Sequence, residues 1–209
     1  MKKDKQQMII KAAIRIFSRK GYQYAIIGEI AKDAGVSKGL VHFYFENKLD
    51  LLLSVILFLS KTINEMIQQK CSLSKDPFVK LHMMAQIFQD LVRQNENLYW
   101  GHILSERLPD IEEIKSKKLK KKYSEILDET KKMKGLFDDI IHQGQRQGLI
   151  DSSLKPQMIG QIIRGAGQRL YADLELKQKG NKHVGYTEED VTSAIHALLD
   201  KFRGPKIRS

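Results

Sequence analysis

Apolar residues recur along this chain with the spacing of α-helices. In the first segment one helical face holds Ile9, Ala12, Ala13, Ile16 and Phe17, at positions i, i+3, i+4, i+7 and i+8. Gly21 follows and is expected to end that helix. No segment shows the strict apolar–polar alternation of a half-buried strand, and the turn pair Asn-Gly does not occur. The pattern predicts an all-α protein with about nine helices.

Three further helices are predicted in the next part of the chain. A short apolar stripe before Gly35 consists of Ile27, Ile30, Ala31 and Ala34. A second short helix is expected from Ser37 to about Tyr44, and Asn47 is a suitable N-cap for a longer one. Residues 51–59 are apolar at almost every position. A helix that is apolar on all sides is buried on all sides, so this helix is expected to connect two cores.

Capping residues predict five more helices in the second part of the chain. Their expected starts are Asp76-Pro77, Asn95 or Asn97, Pro109-Asp110, Pro156 and Thr187. The stretch from Pro109-Asp110 to about Gly148 is compatible with one helix or with two. The two cores are expected to divide near residue 47.

The segment from Ile27 to Phe45 has the pattern of a helix, a turn and a second helix. Gly35 can adopt the left-handed conformation that a tight turn needs, and Ser37 can cap the second helix. Val41 and Phe45 lie four residues apart, so they are expected to face the core together. The opposite side would then expose Lys38, Gly39, Leu40, His42 and Tyr44.

This exposed set suits the major groove of DNA. Lys38 can reach guanine O6 and N7 or a phosphate, and the missing side chain of Gly39 lets the backbone approach closely. Leu40 can contact a thymine methyl group, while His42 and Tyr44 can donate to phosphate oxygens. The segment therefore predicts a helix-turn-helix that binds double-stranded DNA.

The charge of the chain favours the same kind of partner. Its formal net charge is +11 and its pI is about 9.6. Residues 1–50 hold ten Lys or Arg against five Asp or Glu, and residues 115–134 hold nine against three. A basic surface binds polyanions because phosphate contacts release counterions. The first block is expected to meet DNA, and Lys48 within it can reach a phosphate beside a helix N-terminus.

Two neighbouring motifs give the chain a family resemblance. Residues 30–39 have the sequence IAKDAGVSKG, and residues 42–48 have the sequence HFYFENK. Together with their flanking helices, over residues 8–58, they resemble the signature of the TetR family of transcriptional regulators. The resemblance implies a DNA-binding unit of three helices followed by a divergent helical domain. We therefore expect residues 1–46 to bind DNA, and residues 47–209 to bind a small effector and form a homodimer.

The resemblance also implies particular contacts. By position, bases would be contacted by Ser37, Lys38, Gly39 and Leu40, and phosphates by His42, Tyr44 and Lys48. The last two helices, at residues 156–178 and 187–202, would form the dimer interface. Three positions depart from the family pattern, because Ala25, Leu40 and His42 stand where Thr, Thr and Tyr are common. We expect a repressor that leaves its operator when the effector binds, and the sequence leaves activation open as the alternative.

The second domain is expected to hold the effector between its middle helices. Side chains that suit a broad apolar pocket are Met83, Met84, Ile87, Phe88, Leu91, Tyr99, Trp100, Ile103, Phe137 and Ile141. The same side chains would equally fill an ordinary core.

The lysine-rich run from Lys115 to Lys134 also has two interpretations. It is a solvated helix face with acidic partners such as Glu125 and Asp128, or it binds an anionic effector such as an acyl-coenzyme A. The layout loosely resembles that of fatty-acid regulators in the TetR family.

Two other functions compete with DNA-binding regulation. Gly35-Val36-Ser37-Lys38-Gly39 formally matches Gly-x-Ser-x-Gly, the nucleophile elbow of α/β-hydrolases, in which Ser37 would attack an ester. That elbow requires a strand before the serine, whereas a helical stripe precedes it here. The chain could instead be a helical interaction module that binds no DNA. A ligand-controlled regulator fits the motifs better than either, and no enzymatic activity is expected.

The remaining chemistry of the sequence is sparse. A single cysteine, Cys71, excludes an intramolecular disulfide and fits a reducing cytoplasm. His102 and Glu106 lie four residues apart, but no third metal ligand accompanies them, so neither a metal nor a cofactor is expected. The longest apolar run, residues 51–59, is much shorter than the ~20 residues of a membrane span. We expect a soluble, cytoplasmic protein with no membrane partner.

Overall fold

The computed structural model describes residues 2–93, 110–178 and 183–204, and within them it contains eight helices and no strand. The helices are α1 (Lys2–Tyr24), α2 (Ile27–Asp33), α3 (Lys38–Tyr44), α4 (Lys48–Cys71), α5 (Pro77–Arg93), α6 (Lys117–Arg146), α7 (Pro156–Gln178) and α8 (Glu188–Lys201). The predicted all-α fold is confirmed. The predicted helix that would contain Tyr99 and Trp100 lies outside the described residues. None of the helices that the structure describes is long and apolar enough to cross a membrane.

Side-chain caps begin several helices where the sequence predicts them. At the start of α4, Asn47 Oδ1 accepts a hydrogen bond from the Asp50 N–H at 2.9 Å. At the start of α5, Asp76 Oδ1 accepts from the Phe78 N–H at 2.7 Å. At the start of α8, the side chains of Thr187 and its N3 residue form a reciprocal capping box. These bonds satisfy N–H groups that have no partner within the helix itself.

The start of α6 differs from the prediction. The sequence predicts a helix directly after Pro109-Asp110, but α6 begins at Lys117. The Asp110 carbonyl accepts only a turn hydrogen bond, from the Glu113 N–H at 2.9 Å. Ser116 then supplies the cap, because its Oγ accepts from the Leu119 N–H at 3.4 Å. From there α6 is one uninterrupted helix of 30 residues, which decides between the one-helix and two-helix alternatives.

The chain divides into two compact units. The first consists of Met1–Thr62 and Asn95–Thr130, and the second of Ile63–Gln94 and Lys131–Ser209. Helices α4 and α6 therefore each contribute residues to both units. The sequence predicts that the two cores divide near residue 47, whereas the packing divides α4 between residues 62 and 63 and adds the first part of α6 to the first unit. The assignment of DNA binding to residues 1–46 stays a prediction.

The core of the first unit includes residues from α1, α2, α3, α4 and α6. Its fully buried side chains include Ile9, Phe17, Ile30, Phe45, Leu51 and Leu59. The apolar stripe that the sequence predicts on α1 is therefore buried as expected. Leu119 and Ile126 of α6 pack into the same core, although they lie far along the chain from α1–α4. Burial of one such side chain stabilises the fold by ~1.5–3 kcal/mol, so α6 is an integral part of the unit.

In the second unit, α8 packs against both α5 and α7. Buried apolar side chains there include Met84, Ile87, Ile140, Ile159, Ile163, Val191, Ile195 and Leu199. The end of α6 approaches its neighbours closely, because a Cβ at Gly144 would lie 2.7 Å from Ile150 Cγ1 and 3.3 Å from Pro77 Cβ. Any larger residue than glycine at this position would have to displace the buried Ile150 side chain.

We expect Gly144→Ala and Gly135→Ala, both in α6, to change stability in opposite directions. The methyl group at position 144 would overlap Ile150, and overpacking of this kind costs about 1–3 kcal/mol. Apart from the adjacent backbone of α6, the described residues place no atom within 4 Å of the Cβ position at Gly135. Gly135→Ala should therefore stabilise its helix by about 0.5–1 kcal/mol. Urea unfolding followed by circular dichroism measures both changes, and a shift of the same sign in the two variants would contradict the close approach at Gly144.

Candidate nucleic-acid interface

A tight turn joins α2 to α3. Gly35 has a φ of +64°, in the left-handed region that glycine adopts without strain. The Val36 N–H donates to the Ala31 carbonyl at 3.0 Å, which satisfies one of the last carbonyls of α2. Ser37 then caps α3, because its Oγ accepts from the Leu40 N–H at 3.2 Å. The predicted helix, turn and helix are therefore present.

Two apolar anchors hold α3 on its inner side. Val41 and Phe45 are each 1% exposed, and they belong to the same core as Ile30 and Ala31 of α2. This arrangement confirms the predicted inward face. Because the anchors are four residues apart, one side of α3 is fixed along its length and the other side is left for a partner.

The outer side of α3 matches the prediction in part. Its exposed residues include Ser37, Lys38, Gly39 and His42, whereas Leu40 and Tyr44 are half-buried. Phe43 is not among the residues predicted to face outward, yet its side chain is 67% exposed. The helical rotation of about 100° per residue could have identified it, because Phe43 lies opposite the midpoint of Val41 and Phe45.

Lys48 contacts the backbone of its own chain, and its predicted phosphate contact stays a prediction. Its Nζ donates to the carbonyls of Tyr22, Gln23 and Ala25 at 2.9, 3.1 and 3.2 Å. It also lies 4.6 Å from the centre of the Tyr22 ring. An ammonium group has three N–H donors, and these contacts use all three. Lys48 therefore ties the start of α4 to the connection between α1 and α2, and a phosphate contact would require it to give up those bonds.

A buried carboxylate connects the start of α4 to α6. Asp50 is fully buried, and its Oδ2 accepts from the Glu46 N–H at 3.0 Å and from Lys118 Nζ at 2.9 Å. Its Oδ1 accepts from Lys122 Nζ. Lys122 Nζ also lies 6.0 Å from the centre of the ring of Phe45, an anchor of α3. Through this one carboxylate, α6 is bonded to the α3–α4 connection.

The surroundings of Asp50 keep it ionised. Burial alone would raise the pKa of its carboxyl group, but hydrogen bonds from Lys122, Lys118 and the Glu46 N–H outweigh burial and hold the pKa below its usual value. The hydrogen bond to Asp50 in turn raises the pKa of Lys118. A buried charge is tolerated only when it is paired and hydrogen-bonded, and both conditions hold here.

The structure around Ser37 does not match a hydrolase. A nucleophile elbow places its serine between a strand and a helix. Here α2 precedes the serine, and the Ser37 hydroxyl accepts the capping bond from Leu40. The Gly-x-Ser-x-Gly match is therefore explained by the turn between two helices.

The side chains predicted to line an effector pocket are buried, half-buried or outside the described part of the chain. Met84, Ile87, Phe137 and Ile141 are buried, and Met83 is half-buried. Phe88 and Leu91 lie on α5, but their side chains are outside the described part of the chain, as are the residues Tyr99, Trp100 and Ile103. All of the described members belong to the second unit. A pocket among them stays a prediction, because buried side chains of this kind also form an ordinary core.

Two charged side chains of the second unit lie close to Gly160 of α7. A Cβ at Gly160 would lie 2.9 Å from Arg164 Nη1 and 3.0 Å from Asp138 Oδ1. Both atoms are buried, and neither has a hydrogen-bond partner among the residues that the structure describes. The Arg164 guanidinium lies 5.2 Å from the centre of the Phe137 ring. A donor and an acceptor thus lie next to a predicted pocket residue, although buried polar atoms normally have partners.

Comparison with known proteins identifies the family. Residues 9–55 match the family described as bacterial regulatory proteins, tetR family. The fatty acid metabolism regulator protein of Bacillus subtilis is 30% identical over 170 residues, which cover 78% of this chain and 80% of that relative. The chain belongs to the TetR family.

Solved structures share the fold of this TetR-family chain. The fatty acid degradation regulator FadR of Bacillus halodurans has a TM-score of 0.73 at 24% identity, covering 93% of this chain and 94% of that one. FadR from Bacillus subtilis in complex with stearoyl-CoA has a TM-score of 0.71 at 23% identity, covering 92% and 96%. The predicted family resemblance is confirmed, and the chain is a DNA-binding transcriptional regulator with the helical fold of the TetR family.

One departure from the TetR pattern has a visible consequence. Ala25 is buried, and the N-cap of α2 is Ile26, which makes no side-chain cap hydrogen bond. Two exposed ion pairs connect α2 to α1. Arg15 Nε donates to Asp33 Oδ2 at 2.9 Å, and Lys20 Nζ donates to Glu29 Oε1 at 2.5 Å. In this TetR-family chain α2 therefore begins without a side-chain cap and has surface contacts with α1.

Two lysines of the lysine-rich run of α6 bond a carboxylate outside the run, and the choice between its two interpretations stays open. Lys118 and Lys122 bond Asp50, and Glu125 pairs with Lys61 of α4 at 3.6 Å. Asp50 is 68 and 72 residues away from its two lysines, so spacing within the run could not have indicated it.

The described residues contain no group of three His, Cys, Asp or Glu side chains placed to hold a metal ion. The predicted pair of His102 and Glu106 lies outside them. His82 and His196 approach closely, with their Nδ1 atoms 2.5 Å apart. One of these nitrogens must donate its proton and the other must accept it.

We expect Asp50→Asn to destabilise the protein far more than Glu125→Gln. Removal of one charge from a buried network leaves the other charges uncompensated and costs about 3–5 kcal/mol. The Lys61–Glu125 pair is exposed on both sides, and pairs of this kind contribute at most ~1 kcal/mol. The free energy of unfolding in urea at neutral pH compares the two variants, and similar losses would contradict the importance of the network.

The stabilisation by Asp50 should also depend on pH. Because the pKa of Asp50 is lowered in the folded state, its contribution is present above the ordinary carboxyl pKa. It is lost as the pH falls through the lowered folded-state pKa. Urea unfolding from neutral to acid pH should show a smaller loss of stability in Asp50→Asn than in the wild type, and parallel curves would count against the assignment.

Proposed function

We propose that the protein is a cytoplasmic repressor that binds operator DNA through α3 as a homodimer and leaves it when an amphipathic effector binds. The observation that supports DNA binding most directly is the division of α3 into two sides. Val41 and Phe45 are buried on one side, and Phe43 is exposed on the opposite side. Lys38 and His42 are also exposed. A helix anchored in this way presents its outer side in a fixed orientation, which recognition in the major groove requires.

The exposed groups of α3 support separate roles in this proposal. Lys38 and the bare backbone of Gly39 would contact base edges, because both are exposed at the start of the helix. The Ser37 hydroxyl accepts the Leu40 N–H, so its own proton is free to donate to DNA. His42 would bind a phosphate, and the half-buried Tyr44 could do so with its hydroxyl. Lys48 is better suited to hold the unit together.

A stripe on α7 supports the proposed homodimer. Met158 and Ile162 are 48% and 43% exposed, and Gly165 has open space at the position of its Cβ. They lie at positions i, i+4 and i+7, on one side of the helix, whereas Ile159 and Ile163 are buried on another. A second copy that covered this stripe would bury its apolar surface. Two copies can place their α3 helices ~34 Å apart, in successive major grooves.

The second unit supports an effector with both an apolar and a polar part. Its buried apolar side chains suit a hydrocarbon chain, while Arg164 Nη1 and Asp138 Oδ1 offer an unpaired donor and an unpaired acceptor. An amide group could use both, since its carbonyl accepts and its N–H donates. The Bacillus subtilis relative of known structure was obtained with stearoyl-CoA, which has a long acyl chain and amide groups. We therefore propose an acyl-CoA or another amphipathic molecule as the effector.

The switch that we propose acts through α4 and α6, the two helices that contribute to both units. Effector binding would displace α6 in the second unit. A displaced α6 would carry Lys118 and Lys122 with it, and their bonds to Asp50 would pull on the α3–α4 connection. The spacing of the two α3 helices in the dimer would then no longer fit DNA. The effector shifts this balance only by its differential affinity for the two states, ~10⁴-fold to invert a 1:99 population.

We expect selection from a random pool of duplexes to return an operator with two half-sites about 10 base pairs apart, centre to centre.

Lys38→Gln should weaken binding to that operator about 5- to 100-fold, because it removes a contact to a base or a phosphate. Lys75→Gln, which changes an exposed lysine between α4 and α5, should leave the affinity unchanged. Fluorescence anisotropy at several salt concentrations measures these affinities. Wild-type protein without salt-dependent affinity for any duplex would refute the proposal.

We expect stearoyl-CoA to weaken operator binding, and operator to weaken stearoyl-CoA binding by the same factor. Arg164→Met should reduce this effect because it removes the unpaired donor. Arg146→Met is the matched control, since Arg146 is an exposed arginine of the same unit, at the end of α6. Calorimetry establishes saturation by stearoyl-CoA, and anisotropy then measures operator affinity. Unchanged operator affinity at saturation would exclude stearoyl-CoA as the effector.

A further inference from the structure

Phe43 is the most outward side chain of α3. At about 100° per residue, it lies about 180° around the helix from the midpoint of Val41 and Phe45. Its side chain is 67% exposed, against 1% for each of those anchors. Gly39, one turn earlier on the same side, has only Ser37 Oγ, at 3.9 Å, near its Cβ position. The middle of the outer side is therefore an aromatic ring next to bare backbone.

The neighbours of Phe43 do not cover its ring. The Tyr44 ring meets it edge-on, with the centroids 5.2 Å apart, and Tyr44 is itself half-buried. His42 and Tyr44 lie about 100° to either side of Phe43 around the helix. If α3 enters a major groove with Phe43 towards the base pairs, these two polar side chains point to the two phosphate backbones that border the groove. On the outer side of α3, the apolar Phe43 therefore lies at the centre, and the polar His42 and Tyr44 lie on either side of it.

We propose that Phe43 recognises the C5-methyl group of a thymine in the major groove and so determines part of the operator sequence. The inference rests on the proposed binding of DNA by α3. Among the groups that base pairs display in the major groove, the thymine methyl is the apolar one, and the others are hydrogen-bond donors or acceptors that phenylalanine cannot use. Leu40, the residue predicted for this contact, is half-buried and lies on the flank of the outer side.

The test removes single methyl groups from the DNA. Deoxyuridine pairs as thymidine does and lacks only the C5-methyl, so each thymine of the selected operator is replaced in turn. We expect one position in each half-site to weaken wild-type binding about 3- to 5-fold per half-site. Phe43→Ala should bind the unmodified operator more weakly by a similar factor and should lose its sensitivity at that position. Phe43→Leu, which keeps an apolar side chain, should retain part of the sensitivity.

Tyr24→Ala is the matched control. Tyr24 is also an exposed aromatic residue of the first unit, at 80%, but it lies at the end of α1. Its variant should keep the full sensitivity to deoxyuridine. Circular dichroism and thermal unfolding confirm that Phe43→Ala is folded, which is expected because an exposed side chain contributes little to the core.

Three results would overturn the inference while leaving DNA binding intact. One is wild-type affinity that no deoxyuridine substitution changes, and another is full sensitivity in Phe43→Ala. The third is a loss of sensitivity to deoxyuridine in Leu40→Ala but not in Phe43→Ala. That result would show that Leu40 contacts the thymine methyl group. Failure of the wild type to bind any duplex in a salt-dependent way is a different result, because it would overturn the proposed DNA binding together with this inference.

Discussion

The first unit depends on the compensation of one buried negative charge. The Asp50 carboxylate has no access to water, and its charge is matched by Lys118 and Lys122 and by the Glu46 N–H. A charge in such a position cannot lose its partners without a large desolvation penalty. The helices that provide these groups must therefore move together or not at all. For this reason α6, which begins at residue 117, supports α3 as much as α2 and α4 do, although only those two are next to α3 in sequence.

The features that could be predicted from the sequence are those that depend on residues within about one helical turn of each other. The Gly35 turn, the Ser37 cap and the two anchors of α3 are all of this kind, as are the caps of α4, α5 and α8. Each involves a preference of one residue type for one backbone geometry, so a single sequence is enough to recognise it.

The features that were missed depend on the tertiary structure. The three carbonyls that bind Lys48 lie 23 to 26 residues before it, and the partners of Asp50 lie 68 and 72 residues after it. No periodicity connects such positions. The start of α6 was placed too early for a related reason, because Asp110 and Ser116 are both good caps, and local preference does not decide which of two such residues begins the helix. Phe43 is the exception, since helical rotation alone could have placed it on the outer side.

Under the proposed binding of the effector by Arg164 and Asp138, Gly160 is a position at which one substitution would change which ligands bind. Its hydrogen atom leaves room for the tips of Arg164 and Asp138, and one additional carbon would force both to move. A glycine codon becomes an alanine codon by a single nucleotide change, and alanine is the better helix former, so the exchange need not weaken α7. Specificity for the effector would then change through one mutation that the fold tolerates, before any of the surrounding apolar residues is replaced.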